Sequence, residues 1–287
     1  MVSPSGKDES TYPIDPENAV EMARLLNQDM MTTKAMGGPL SEQADAPLFH
    51  DVLDLACGPG GWVLDVARLL PGATVTGVDI SKLMTDYGRA TAKARSLHNA
   101  HFTTMNIQEP FLFADDSFDL VNARALVAVL TPRTWPIMLH EAFRICRYGG
   151  IMRLTEAEMP ITNSPAFEET TQMALNAFSM TGRNFGPTAR NFGITPMLSR
   201  LLKGAGFSNI RYKAYGVDTS AGTEGYESFY QDFMVVFQLG KPFFVKLGLT
   251  TDEQYEKLYQ QTLCEMRSPD FCVMSYSLTV WGEKPKP

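Results

Sequence analysis

A short stretch of this chain has the residue types and spacing to hold a nucleotide. Gly58-x-Gly60-Gly61 follows the apolar run Asp51-Val52-Leu53-Asp54-Leu55-Ala56. Glycines between a strand and a helix let backbone N–H groups come close to a ligand. Any tight strand-to-helix turn favours glycine, so the neighbouring acids carry the discrimination. Asp54 lies in the run before the turn, and Asp79, 25 residues on, ends Ala73-Thr74-Val75-Thr76-Gly77-Val78-Asp79. An acid at the end of a second strand is placed to accept hydrogen bonds from both hydroxyls of a ribose. A nicotinamide dinucleotide would need a third glycine where the chain has Val63, and a P-loop needs a Gly-Lys-Ser/Thr that the turn lacks. The adenosine-holding part of the pattern survives both exclusions.

The elements that must position these residues follow from the periodicity. Asp15-Pro16-Glu17 reads as a helix start, with Val20, Ala23, Leu26 and Met30 at helical spacing and Gly37-Gly38-Pro39 as the stop. Strand signals at 51–56, 73–79, 100–105, 118–123 and 151–155 alternate with helices at 62–70, 82–97 and 134–146. That rhythm predicts an α/β, doubly wound parallel sheet. Residues 157–194 are rich in Met and Phe without strand signals and read as a helical cap. A helix over 195–204, a strand near 210–215, a helical segment over about 219–270 and a final strand over 271–281 complete the chain. The implied division is a tail and helix over 1–48 serving as lid or oligomer contact, a nucleotide-binding core over 49–156, a cap over 157–194, and the rest of the core over 195–287.

Composition narrows the partners. Hydrophobic residues make up 44% and charged residues 20%, which excludes a disordered chain. The formal charge is −7 without any Lys/Arg block, which argues against nucleic acid. No apolar run approaches a membrane span, and Met1 to Ser10 has no apolar leader, so a cytoplasmic protein with reduced thiols is expected. The four cysteines and four histidines are scattered, so no metal site is expected.

Taken in order, Asp54-Leu55-Ala56-Cys57-Gly58-Pro59-Gly60-Gly61, Gly77-Val78-Asp79, Phe118-Asp119-Leu120-Val121 and Tyr148-Gly149-Gly150 resemble the motifs of class I S-adenosylmethionine-dependent methyltransferases. The small-molecule branch of ubiquinone and menaquinone pathways is nearest in style. The resemblance spans about 50–157, with echoes at Gly204-Ala205-Gly206-Phe207 and in the final strand. It implies a Rossmann-like, seven-stranded sheet with helical cap insertions and an N-terminal helix, and S-adenosyl-L-methionine as cofactor. Carried over by position, it places Ala56, Gly58 and Gly60 against the methionine and ribose portions, Asp79 on the ribose, and Ile80 and Met84 on the adenine. Asn106-Ile107 falls where the family commonly has an acid and a small or apolar residue, so the Asn106 oxygen accepts from the adenine amino group without charge assistance. Asn122 would face the methionine end. Met84 and Ile107 also fit ordinary core positions. The leading segment and Ala35-Met36-Gly37-Gly38 are similar to indolactam-type alkaloid C-methyltransferases, which implies that Tyr12 closes over the cofactor; a loose tail carrying one tyrosine fits the same residues.

Oxygen and nitrogen acceptors often need a proton removed. Arg124, Glu156 and Glu158, after the fourth and fifth strands, are the candidate groups, with Glu156 and Arg124 foremost and His140 less well placed on a helix. The two acids equally fit a solvated loop or helix start, and Arg124 an ion pair. Phe167, Met173, Phe178, Met180, Phe185 and Phe192 load the first cap with apolar bulk. Tyr226, Tyr230, Phe233 and Phe237 share one helix face in the second. That face suits a core, an interface of a homo-oligomer, or a pocket for a hydrophobic small-molecule acceptor. The expected activity is methylation at carbon, oxygen or nitrogen of such a molecule. A non-methylating reaction on the same fold, such as cyclisation, and a non-catalytic binding subunit are the alternatives.

Overall fold

The computed structural model describes residues 12–43 and 49–287. Five strands, β1 (Asp51–Leu55), β2 (Thr74–Asp79), β3 (Ala100–Thr104), β4 (Phe118–Arg124) and β5 (Cys146–Ala157), run parallel in the spatial order β3-β2-β1-β4-β5. Between them come α2 (Gly61–Leu69), α3 (Lys82–Ala94) and α4 (Trp135–Ile145). The central runs, in β1, β4 and the second half of β5, are buried on both faces as a parallel sheet requires, whereas β3 at the edge buries only Ala100 and Phe102. Trp62, Val63 and Val66 pack with Val52, Val75 and Phe102 on one side, and Trp135, Met138 and Leu139 with Leu53, Val121 and Leu154 on the other. The strand order reverses at β1, so the crevice between the carboxyl ends of β1 and β4 is the place a ligand would enter.

The remaining elements are β6 (Ile161–Thr162), α5 (Pro165–Met180), α6 (Leu198–Ala205), β7 (Ser208–Asp218), α7 (Tyr226–Lys246), α8 (Asp252–Met266) and β8 (Val273–Glu283). β8 runs antiparallel between β5 and β7. The sheet has eight strands where the resemblance implies seven. The extra one is β6, inside the cap for which the sequence predicts helix alone, and it forms because β8 extends to Val273 and Met274, which pair with Thr162 and Ile161. β5 also begins earlier than its apolar run, at Cys146, with an irregularity that absorbs Tyr148-Gly149-Gly150 between the pairs Phe118–Cys146 and Leu120–Ile151. No helix among the described residues is long and apolar enough to cross a membrane.

The N-terminal helix α1 (Ala19–Ala35) departs from its sequence reading in two ways. Asn18, not Asp15, caps it, accepting from the N–H groups of Val20 and Glu21; Asp15 instead accepts from Glu17 N–H in a preceding turn. The apolar stripe is also not the buried face. Val20 and Met30 are 55% and 60% exposed, whereas Glu21 and Arg24 are 0% and 6% exposed. Arg24 sits between Glu21 (2.7 Å) and Asp232 of α7 (2.9 Å), so the interface is a buried ionic cluster in which each charge has a partner.

Candidate active site

The chain turns sharply after β1. Ala56, Gly58 and Gly60 all have positive φ (51°, 54° and 85°), and the Cys57 and Gly60 N–H groups bond to Val78 and Cys57 oxygens. A Cβ on Gly60 would run into the Phe102 ring, so this glycine is required by packing as well as by its dihedral. Asp79, ending β2, holds the turn from the other side. Its carboxylate accepts from Gly58 N–H and Ser81 N–H, each at 2.9 Å. Burial raises its pKa, against which these N–H groups pull. The Ser81 hydroxyl caps α3 by accepting from Met84 N–H.

A cavity of about 490 Å³ opens at this turn. Ala56, Gly58, Asp79, Ile80, Met84, Asn106 and Ile107 line one end of it. Asn106 Oδ1 already accepts from Gln108 N–H, with a second lone pair left for a ligand donor. Gly60 and Asn122 are not in the lining. Asn122 lies one layer below, fully buried, and is tied into the cavity through Asp54: its amide donates to Asp54 Oδ1 at 2.7 Å, while its oxygen accepts from Arg153 Nη1 at 2.6 Å. The register explains this row, since Asp54, Asn122 and Arg153 face one another across β1, β4 and β5. Arg153 continues to Glu42 in the loop after α1. Burial pushes the Asp54 carboxyl up to about 7, offset by the attraction of Arg124 and by the Asn122 hydrogen bond.

The structure places Tyr12 in the cavity wall with Pro13, Ile14 and Pro16. Its hydroxyl donates to Glu21 Oε1 at 2.7 Å. Glu17, just after, accepts from Lys82 and Leu83 N–H at the start of α3, so residues 12–17 are tied to α1 through Tyr12 and to α3 through Glu17.

Glu156 and Arg124 both line the cavity too. Glu156, near the end of β5, is 2% exposed; its carboxylate accepts from Leu126 N–H at 2.6 Å and Val127 N–H at 3.4 Å, in the turn after β4. Burial pushes its pKa up to about 8, with the nearby Glu158 acting in the same direction. Arg124 is held by Asp29 and by the Thr33 hydroxyl, both from α1, and lies 6.0 Å above the Trp62 ring. Glu158 is committed to the loop at 192–195, accepting from Phe192, Gly193 and Thr195. His140 is exposed on α4 and outside the cavity lining. Sequence reasoning missed Arg24, Asp29 and Asp232; their only local signal, an acid and a base three apart at Glu21 and Arg24, looks like any solvated helix face.

The other end of the cavity is aromatic. Phe178 of α5 and Phe229, Phe233, Phe237, Phe243 and Phe244 of α7 line it. Phe167 packs behind them, 4.8 Å from Phe233 and 5.3 Å from Phe237 between ring centres. Of the aromatic face read from the sequence, Phe233 and Phe237 line the cavity, whereas Tyr226 donates to the Met266 oxygen and Tyr230 packs under Arg267, both outside the lining.

A parallel sheet reversing at β1, a glycine turn, and an acid ending β2 define a Rossmann-like nucleoside-binding core. The family model described as a methyltransferase domain matches residues 52–150. A demethylmenaquinone methyltransferase of Listeria welshimeri is 26% identical over 193 residues, 62% of this chain and 78% of the relative. Among solved structures, phosphoethanolamine N-methyltransferase 2 of Haemonchus contortus with S-adenosyl-L-methionine aligns over 88% of this chain and 52% of that one, at 16% identity and a TM-score of 0.51. The [4+2]-cyclase SpnF aligns over 95% and 98%, at 17% identity and the same TM-score, 0.51. The chain carries a methyltransferase domain over residues 52–150, and its relatives and the neighbours with S-adenosyl-L-methionine or S-adenosylhomocysteine bound support a class I S-adenosylmethionine-dependent methyltransferase of the small-molecule type with S-adenosyl-L-methionine as cofactor. The residues fit that group: open backbone at Ala56 and Gly58, the Asp79 carboxylate as an acceptor for hydroxyls, apolar walls at Ile80, Met84 and Ile107, and the acids Asp54 and Glu156 in the same lining to suit a cation.

Proposed function

We propose that this enzyme methylates a hydrophobic small molecule held against the aromatic walls of α5 and α7. The observation that carries the reading is the continuity of one cavity from the glycine turn to Phe178, Phe229, Phe233 and Phe237. Its size falls within the range of small-molecule sites. The Listeria relative is named for demethylmenaquinone, and an apolar acceptor of that kind suits these walls.

When bound, the cofactor supplies a methyl group already activated on a sulfonium, so the protein's work is positioning and exclusion of water. Asp79 holds the ribose hydroxyls, while Ile80, Met84 and Ile107 enclose the base beside Asn106. Ala56 and Gly58 leave room for the chain's closest approach, and Asn122 orients the Asp54 carboxyl rather than touching the ligand. Tyr12 and the segment after it cover the cavity from the α1 side. Glu156 accepts a proton from the acceptor; its raised pKa makes it a better base than an ordinary carboxylate once ionised. Arg124, bound to Asp29 and Thr33, positions rather than transfers a proton.

The test is to incubate the purified protein with S-adenosyl-L-methionine and a panel of isoprenoid, polyketide and aromatic acceptors alongside polar ones, following both products by mass spectrometry. S-adenosylhomocysteine together with an apolar product heavier by one CH₂ group supports the proposal. Turnover confined to polar acceptors would refute it, and an acceptor converted without gain in mass would point to cyclisation instead.

A further inference from the structure

The cavity has a second wall, from the sheet, whose chemistry differs from that of the α7 rings. Ser275 and Ser277 lie two apart on β8, so both project from one face of the sheet, and both line the cavity. Register sets Ser275 opposite Val217 and Ser277 opposite Tyr215 of β7. Thr219 continues that row just past the end of β7, where its N–H bonds to the Val273 oxygen, and it too lines the cavity. Thr219 is 1% exposed, and its Oγ1 is buried with no hydrogen-bond partner among the described residues. Its methyl group is the part turned to Gly225, 2.9 Å from where a Cβ there would sit. The Ser275 and Ser277 hydroxyls likewise have no protein partner among the described residues. Hydroxyls next to them are paired: Ser220 Oγ accepts from Val273 N–H, and Thr155 and Thr279 bond to each other at 2.8 Å.

We infer that Thr219, Ser275 and Ser277 bind neutral oxygens, hydroxyl or carbonyl, along one edge of the methyl acceptor, while its apolar body lies on the rings of α7. Buried polar groups are nearly always hydrogen-bonded, because leaving one unmet carries its full desolvation cost. The charged side chains of the lining are already committed, Arg24 to Glu21 and Asp232, Arg124 to Asp29, and Glu158 to the loop at 192–195. What the sheet wall offers is therefore neutral, three groups that each donate and accept. A bare isoprenoid chain packed there would leave all three hydroxyls dry and unmet. An aromatic or polyketide acceptor with its oxygens on one edge meets them and still covers the rings. The inference deepens the hydrophobic-acceptor reading, rests on it, and names the acceptor class as an oxygenated ring system.

The experiment compares three probes on one ring system, by calorimetry on the full chain saturated with S-adenosylhomocysteine. 1,8-Dihydroxynaphthalene carries both oxygens on one edge, 1,5-dihydroxynaphthalene carries them on opposite edges, and naphthalene has none. The wild type should bind the 1,8-diol about tenfold more tightly than either of the others. Thr219→Val, Ser275→Ala and Ser277→Ala should each weaken the 1,8-diol by about fivefold, the loss of one neutral hydrogen bond. Each should leave naphthalene within about twofold, which also reports that the ring walls are intact. Naphthalene or the 1,5-diol binding as tightly as the 1,8-diol would overturn the inference while leaving the apolar-acceptor reading standing. Variants that weaken all three probes alike would overturn it too, since the hydroxyls would then be structural. So would a Thr219→Val protein that gains thermal stability and keeps the preference for the 1,8-diol, which would make its hydroxyl an unpaired core atom. Failure of all three probes to bind would reject the apolar-acceptor reading as well.

Discussion

Glu156 is buried with only backbone N–H partners, and its ionisation should therefore be visible in the stability of the cofactor-free enzyme. Burial holds its pKa at about 8 in the folded protein, against about 4.3 for an exposed glutamate. In the unfolded chain the proton is gone by about pH 5, while the folded chain keeps it until about pH 8. The folded state thus binds more protons throughout this window, and stability falls as pH rises across it. From about pH 7 to 9 the folded carboxyl is on average half protonated and the unfolded one is not, which integrates to a loss of about 1.4 kcal/mol. Urea unfolding of the wild type and Glu156→Gln at both pH values isolates this contribution. Asp54, held up to about 7, and Asp232, held up to about 6, act in the same direction but in both proteins, so they cancel in the difference. The amide oxygen that Glu156→Gln introduces can still accept from Leu126 N–H, which keeps the comparison close to isosteric. The wild type should lose about 1.4 kcal/mol more than the variant over that interval, with unchanged m-values. Parallel losses would refute the placement of a neutral carboxyl here. The same titration predicts a methylation rate that rises with pH through about 8 and a variant without that rise.

Three further outcomes follow from particular contacts. If Asp79 holds the ribose as proposed, Asp79→Ala should weaken S-adenosylhomocysteine by roughly 100-fold in calorimetry, the loss of two charge-assisted hydrogen bonds; an affinity within a few fold of wild type would remove Asp79 from the cofactor site. Gly60→Ala should lower stability by about 2–4 kcal/mol, through strain at a φ of 85° and the clash with Phe102, and a melting curve matching the wild type would contradict that packing. Arg24→Met leaves Glu21 and Asp232 buried without their cation and should cost about 3–5 kcal/mol. Adding Asp232→Asn should recover part of it in urea unfolding, and the absence of any recovery would argue against a coupled cluster.

The glycine turn and the acid beside it are legible in the residues because they are built from local rules. A glycine turn after an apolar run and an acid at the end of the next strand need only short-range spacing, and the alternation of elements names the sheet. Long-range facts have no such signature. Ile161 and Thr162 become a strand only because β8 reaches them, and two residues carry no period. The family pattern puts Asn122 at the methionine end, but strand register places it between Asp54 and Arg153, and register is not written in any one strand. The aromatic residues of α7 are legible as a face, yet the choice between core and pocket is decided by Phe167 packing behind Phe233 and Phe237 and leaving their other side open. For α1 the hydrophobic pattern points the wrong way. Periodicity predicts burial by counting apolar residues, whereas Glu21 and Arg24 can be buried only when Asp232, more than 200 residues away, arrives to complete their charge. What this sequence determined alone was the Rossmann-like core with its glycine turn; tertiary structure decided which charged side chains went inside, since burying a charge depends on a partner that only the folded chain brings near.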